Sequence, residues 1–430
     1  MNTISLNTIF LDDAKGVGGA KKSTADSWVG SKKDLALLYS DAKLWESCSY
    51  YSSIETAIAD IKKGNIASNC DEQDAAVAVD KGRLFRLFLM KDIETSSEVS
   101  LEGIELILNG HKLNLSTPIS ATGNCIIDGR ANKSTIIGKT ILNVNSGQCK
   151  VYGGIYKMNT SKQGQDGNPH PCFNIIGGTL DLEGATFIAI DDNGGTISNI
   201  LVNSGSQLAA KNCSFKLTSK YGMQSCCIYN KGTVTLEKCK LEAFSDHTAN
   251  SAGTNYERTA RAIFGDTDSV TNLLMCYAYG AHSGMTFKGE VSVDGGTYCG
   301  YSHGGIYLSN QNKTTKIKNA TFKDVPLPSG YYDDGVAGTN GAAIYIGGTT
   351  GMNVYFDNCT FYAEIQTLVM KTGGNTMYVS NCRMRHGYSR CGIRNDSSNQ
   401  VKFGINNNFD YTNLENKRNY EVTDLDYGLI

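Results

Sequence analysis

Over most of its length the chain alternates apolar and polar residues with a period of two, in short runs separated by Gly, Asn and Asp. Ala343-Ile344-Tyr345-Ile346 leads through Gly347-Gly348 to Val354-Tyr355-Phe356. Ile306-Tyr307-Leu308 with Lys316-Ile317-Lys318, and Ile141-Leu142-Asn143-Val144 with Val151, repeat that order. Alternation over so few residues predicts strands with one buried face, and the Gly and Asn between them predict turns.

A third run closes each unit with a recurring phrase: Asn or Gly, a small residue, any residue, then an aromatic or large apolar one. The clearest copies are Asn212-Cys213-Ser214-Phe215, Asn319-Ala320-Thr321-Phe322, Asn358-Cys359-Thr360-Phe361 and Asn381-Cys382-Arg383-Met384. Looser copies end at Tyr156, Phe187, Leu241, Tyr298 and Phe409. From Tyr156 onward the intervals are 31, 28, 26, 57, 24, 39, 23 and 25 residues. The long interval is two units, or one unit with a large insertion. Units of this size stack one supersecondary element instead of folding round one centre, and the 3.6-residue period of helical repeats is absent from them.

Three strands in a turn of roughly 25 residues is the arithmetic of a parallel β-helix, each strand pairing with its counterpart one turn away at about 4.8 Å. The fold class expected is all-β, with about eleven or twelve turns over residues 85–410 and a short α-helical N-terminal cap. The phrase then has a structural meaning. Asn212, Asn319, Asn358 and Asn381 are corner residues, because Asn tolerates a left-handed backbone. The next residue is small because it sits in the corner, and the aromatic points into the stack.

The first turns carry a resemblance. Phe88-Leu89-Met90-Lys91-Asp92-Ile93, then Val99 and Leu106-Ile107-Leu108-Asn109-Gly110-His111-Lys112-Leu113, resemble the opening turns of right-handed parallel β-helix proteins of the pectin-lyase-like superfamily, which includes bacteriophage tailspikes. The resemblance covers roughly residues 50–410. It implies the fold, a structural role for His111 and, among tailspikes, a homotrimer. Lyases, hydrolases, epimerases and tailspikes share this scaffold, so it does not choose a function.

Outside the stack, residues 1–30 contain Gly18-Gly19-Ala20-Lys21-Lys22-Ser23 and read as a flexible arm. Residues 31–84 form a helical capping and attachment region. Ser31 with Asp34 precedes Leu35, Leu38, Ala42 and Trp45, and Ser52 with Glu55 precedes Ile58 and Ile61, with Gly64 as the stop. Residues 411–430 read as a closing strand.

Forty-seven glycines and five prolines suit many tight corners between continuous strands. A net charge of −2 gives no overall electrostatic case for nucleic acid or for an anionic membrane. No run reaches the length of a membrane span, and residues 1–10 lack the pattern of a signal peptide. Synthesis in a bacterial host cytoplasm is the expectation. Fourteen cysteines include Cys213, Cys239, Cys359 and Cys382 at one position of the repeat, which predicts a ladder of buried thiols. Neither their spacing nor that of the six histidines matches a metal site, so no metal or cofactor is expected.

Chemistry, if present, belongs to the connections after the aromatic. These vary in length, and all leave the same corner, so they project from one side, as binding insertions do in solenoids. They hold Asp191, Asp192, Asp266, Asp268, Asp333 and Asp334 as catalytic candidates, together with Arg258 and Arg261. Tyr256, Tyr277, Tyr279, Tyr331 and Tyr332 are glycan-binding candidates, offering flat faces for sugar rings beside carboxylates for hydroxyls. Glycoside hydrolysis would need two of the carboxyls about 5–9 Å apart. The reading adopted is a non-enzymatic bacteriophage tail component, anchored to other virion proteins through its N-terminal region and binding host-surface polysaccharide. The alternative is a polysaccharide hydrolase or lyase on the same scaffold.

Overall fold

The computed structural model describes residues 27–30, 49–51, 54–63, 85–89, 91–159, 169–191, 196–219, 225–245, 260–281, 283–300, 304–310, 312–324, 342–348, 350–363, 366–386, 393–395, 398–408, 414–415 and 420–428. Its strands fall into sheets of sixteen, twelve and thirteen, here the first, second and third. Within each turn the chain passes from the third sheet to the first and then to the second. The fold is a right-handed parallel β-helix with three strands per turn, and packing divides it into two compact units, residues 1–159 with 172–188 and residues 160–171 with 189–430.

In the first unit, Phe85–Leu89, Ile104–Ile107, Cys125–Gly129, Gln148–Gly153 and Thr179–Glu183 pair in parallel in the first sheet. Alternate residues of the strands point inward, as in Leu113, Ile136 and Val151, all fully buried. Tyr156, Phe173 and Phe187 fill the core with ring centroids 4.9–5.1 Å apart, one pair stacked and two edge-on. Asn109 and Gly110, at φ 50° and 81°, turn the chain into Lys112–Leu115. The backbone N–H of Lys112 donates to Asp92 Oδ1 at 2.8 Å, and His111 Nδ1 lies 3.6 Å from the same oxygen.

The helix Ile54–Lys63 buries Ile54, Ala57, Ile58 and Ile61, one face at helical spacing. It packs beside two strands, Ser27–Gly30 and Ser49–Tyr51. Ser27–Gly30 pairs antiparallel with Phe85–Leu89, joining the sheet edge that opens the coil; a covered edge offers no template for another chain. Glu55 accepts a hydrogen bond from the Thr95 hydroxyl in the second sheet; Ser52, its partner in the expected capping box, lies outside the described residues. The helix expected from Ser31 onward lies outside the described residues.

In the second unit the repeated corner lies between the first and second sheets. Asn212, Asn319, Asn358 and Asn381 occupy it at φ 54°, 56°, 50° and 57°. Successive side chains form a ladder: Asn358 Nδ2 donates to Asn319 Oδ1 at 2.8 Å, and Asn406 Nδ2 to Asn381 Oδ1 at 3.0 Å. The adjoining cysteine is small enough for the corner and also useful there. Its S–H donates to the carbonyl two residues earlier, as for Cys239 to Glu237 (3.5 Å), Cys276 to Leu274 (3.4 Å) and Cys359 to Asp357 (3.3 Å). Eleven described cysteines are buried and reduced. Phe215, Tyr298, Phe322 and Phe361 point inward and are fully buried.

The 57-residue interval between Leu241 and Tyr298 contains a complete extra turn: Arg261–Gly265, Val270–Leu274 and Tyr277–Gly280. Of the two readings of that interval the two-unit one holds, and residues 261–280, whose candidate side chains the sequence assigned to an insertion, are regular solenoid. Near the C-terminus, Tyr420–Val422 extends the first sheet beside Gln400–Phe403.

Candidate functional site

The extra turn breaks the repeat, and the break creates the site. Its corner reads Met275-Cys276-Tyr277-Ala278: Met takes the place of Asn, at φ 54°, and Ala takes the place of the inward aromatic. Ala278 is buried, and alternation along the strand turns Tyr277 and Tyr279 outward, both half-buried. Parallel register sets Lys240 beside Tyr277 and Glu242 beside Tyr279 on the preceding turn.

Tyr279 lies against Phe244 of that turn, ring centroids 5.2 Å apart at 36°. The Lys216 ammonium sits over the Phe244 ring at 5.8 Å, and that of Lys240 over Tyr277 at 5.7 Å. Lys240 Nζ is also 2.9 Å from Glu242 Oε1. Burial pushes the Tyr277 phenol above its ordinary value, with Cys299 and Glu242 adding to the effect, so at neutral pH it is a neutral donor. The result is an aromatic platform of two mutually tilted rings, with ammonium groups over Phe244 and Tyr277 and a carboxylate in register with Tyr279, carried on strands and not on loops. Such a surface can stack a sugar ring and hold its hydroxyls.

The outward face of the third sheet is also aromatic but closed. Tyr229 and Phe264 pack at 5.0 Å, and Tyr307 and Tyr345 at 5.1 Å. Lys231, Lys288 and Lys371 lie over Tyr229, Phe264 and Tyr345 at 5.3, 5.4 and 5.9 Å, with Arg261 over Phe264 at 5.5 Å. The three capped rings are buried. Burial pushes the Tyr229 phenol up to about 12, with nearby Asp266 contributing.

Of the six carboxylates named from sequence, Asp191, Asp266 and Asp268 lie among the described residues. Asp191 is buried at the end of Thr186–Asp191. Asp266 shapes the turn from the third sheet to the first: its Oδ1 accepts the Thr267 N–H at 2.9 Å and its carbonyl the Ser269 hydroxyl at 2.7 Å. Asp268 is exposed in the same turn. Asp192, Asp333, Asp334, Tyr256, Tyr331, Tyr332 and Arg258 lie outside the described residues. Among the described residues no group of three or more His, Cys, Asp or Glu could hold a metal ion, and no helix is long and apolar enough to cross a membrane.

Sequence reasoning missed Phe244, Lys216, Lys240 and Glu242. The signal was present in the run Lys240-Leu241-Glu242-Ala243-Phe244, whose alternation aims Lys240, Glu242 and Phe244 away from buried Leu241 and Ala243.

No known family matches the chain, and no curated protein is similar to it. Among solved structures, the chain is similar to a tailspike protein mutant of the E. coli bacteriophage HK620, in complex with a pentasaccharide. Identity is 13%, coverage 83% of this chain and 75% of that one, and the TM-score 0.24. Neither identity nor superposition at that level says what this chain binds.

Proposed function

We propose that this chain is a β-helical tail component of a bacteriophage virion and that the outward face of its second sheet binds host-surface glycan. The observation that carries the binding role is the Phe244–Tyr279 platform beside the Lys240–Glu242 pair. It joins the extra turn, whose corner phrase has Ala278 at the inward position and tyrosines outward, to the turn before it, a local departure from the repeat of the kind that accompanies function. The virion role is supported by the eleven buried, reduced thiols, which suit assembly in a reducing cytosol. Attachment through the N-terminal region and a homotrimeric state complete the proposal.

The test is retention of the full chain on a panel of immobilised host-cell polysaccharides, with Tyr279→Ala beside the natural sequence. Retention of one polymer, abolished by Tyr279→Ala at an unchanged melting temperature, is the expected result. A variant that binds as well as the natural chain removes the platform from the account. Mass spectrometry of purified particles tests the virion role, which fails if the chain is absent from them.

A further inference from the structure

The second-sheet face carries more than the platform. In the second unit its outward positions include Lys216, Lys323, Tyr362, Arg383 and Arg385, set in register across Ser214–Ser219, Lys240–Ser245, Tyr277–Gly280, Thr297–Gly300, Thr321–Asp324, Thr360–Ala363 and Arg383–His386. Seven strands are six steps of about 4.8 Å, so the row from Lys216 to Arg385 runs for roughly 29 Å. Tyr362, between Lys323 and Arg385, is 42% exposed. All four cations are exposed.

The first sheet treats its charges differently. There Lys211 pairs with Glu237 at 3.1 Å, Lys318 with Asp294 at 3.1 Å and Lys402 with Glu421 at 3.2 Å. On the second sheet Glu242 is matched to Lys240, whereas among the described residues Lys216, Lys323, Arg383 and Arg385 have no ion-pair partner. A chain of net charge −2 thus gathers positive charge along one aromatic-bearing face, where Glu242, in register with Lys216 and ion-paired to Lys240, is the one carboxylate in the row from Lys216 to Arg385.

From this charge row we infer that the glycan is an anionic polysaccharide, with carboxylates meeting Lys216, Lys323 and Arg385 while sugar rings lie on Tyr279 and Tyr362. The inference rests on the glycan-binding reading above. Spacing favours a polysaccharide over a nucleic acid. Lys216 and Lys323 are four steps apart, about 19 Å, and Lys323 and Arg385 two steps, about 10 Å. Along a nucleic-acid duplex each strand presents a phosphate roughly every 3.4 Å of axis, far denser than this row can match. A polysaccharide with one acid per repeat presents sparse charge between stacking rings, as the face does.

The experiment uses the full chain on immobilised hyaluronate and unsulfated chondroitin, which carry one carboxylate per disaccharide, each beside its carboxyl-reduced derivative, with a single-stranded oligonucleotide in parallel. The inference expects retention of at least one acidic polymer, loss on carboxyl reduction, and weakening with salt. Lys323→Ala with Arg385→Ala should cut affinity about fivefold to tenfold, as two exposed ion pairs allow, with no change in melting temperature. Equal retention of acidic and reduced forms, sensitive to Tyr279→Ala, overturns the anionic inference and leaves glycan binding standing. Failure to retain any of the polymers in either form overturns both. Tighter binding of the oligonucleotide at the same salt assigns the face to nucleic acid instead.

Discussion

Asn358→Val is the sharpest probe of how the coil is built. Asn358 turns the chain from Asn353–Asp357 into Thr360–Ala363 at φ 50°. A left-handed backbone costs an L residue about 1–2 kcal/mol, and a β-branched side chain is a genuine outlier there. The substitution also removes the 2.8 Å bond from Asn358 Nδ2 to Asn319 Oδ1, worth about 0.5 kcal/mol at an exposed site. The expected loss is roughly 1.5–2.5 kcal/mol. Asn358→Gly loses the same bond and about 0.4–1 kcal/mol through the unfolded chain, but carries no backbone strain. Thr360→Val, two residues on and within a strand, should stay within about 0.5 kcal/mol of the natural protein. Guanidinium unfolding followed by circular dichroism ranks the variants. If Asn358→Val is no less stable than Asn358→Gly, the corner is not held by backbone conformation and the argument is wrong.

Phe322→Ala removes a fully buried ring that stacks on Tyr298 at 5.4 Å and on Phe361 at 6.0 Å; a cost of about 3–5 kcal/mol is expected in the same unfolding assay, and one below about 1 kcal/mol would place the ring outside the core. Asp294 is held below the usual carboxylate range by the Asn319 amide at 2.8 Å and by Lys318. A depressed folded-state value stabilises the protein above the ordinary carboxylate pKa, and that contribution is lost as pH falls through the folded value. Asp294→Asn should therefore narrow its stability gap from the natural protein below pH 4, and a gap constant with pH would refute the assignment. Burial raises the Cys172 and Cys226 thiols, the latter to about 12. Ellman's reagent at pH 8 should leave both unlabelled in the folded protein and label them in denaturant; rapid labelling of the folded chain would contradict their burial.

The coil was legible because its corner must be left-handed and its core must be filled. Both demands recur once per turn, and Asn with an aromatic three residues later satisfies them at Phe215, Phe322 and Phe361. The turn at Met275 stayed one of two readings of its interval because Met and Ala278 satisfy neither pattern by composition. Only the φ of 54° and the strand register reveal it. Tyr277 and Tyr279 were found from their residue type, but assigned to an insertion, since the merged interval hid the strand that carries them. Lys216, Lys323 and Arg385 lie far apart in sequence and become neighbours on one face only through parallel pairing over several turns. Alternation within one strand gives the direction of a side chain, but which strands share a sheet depends on where every earlier turn closes. His111 follows the Asn109-Gly110 turn with its Nδ1 3.6 Å from Asp92 Oδ1.

The platform of Phe244 and Tyr279 is the centre of the functional account, and a crystal structure of the full chain with an oligosaccharide from the retained polymer tests it most directly. The account predicts a sugar ring stacked on Tyr279, with the chain continuing along the second sheet toward Tyr362. Sugar density confined to the ion-paired face of the first sheet would contradict it.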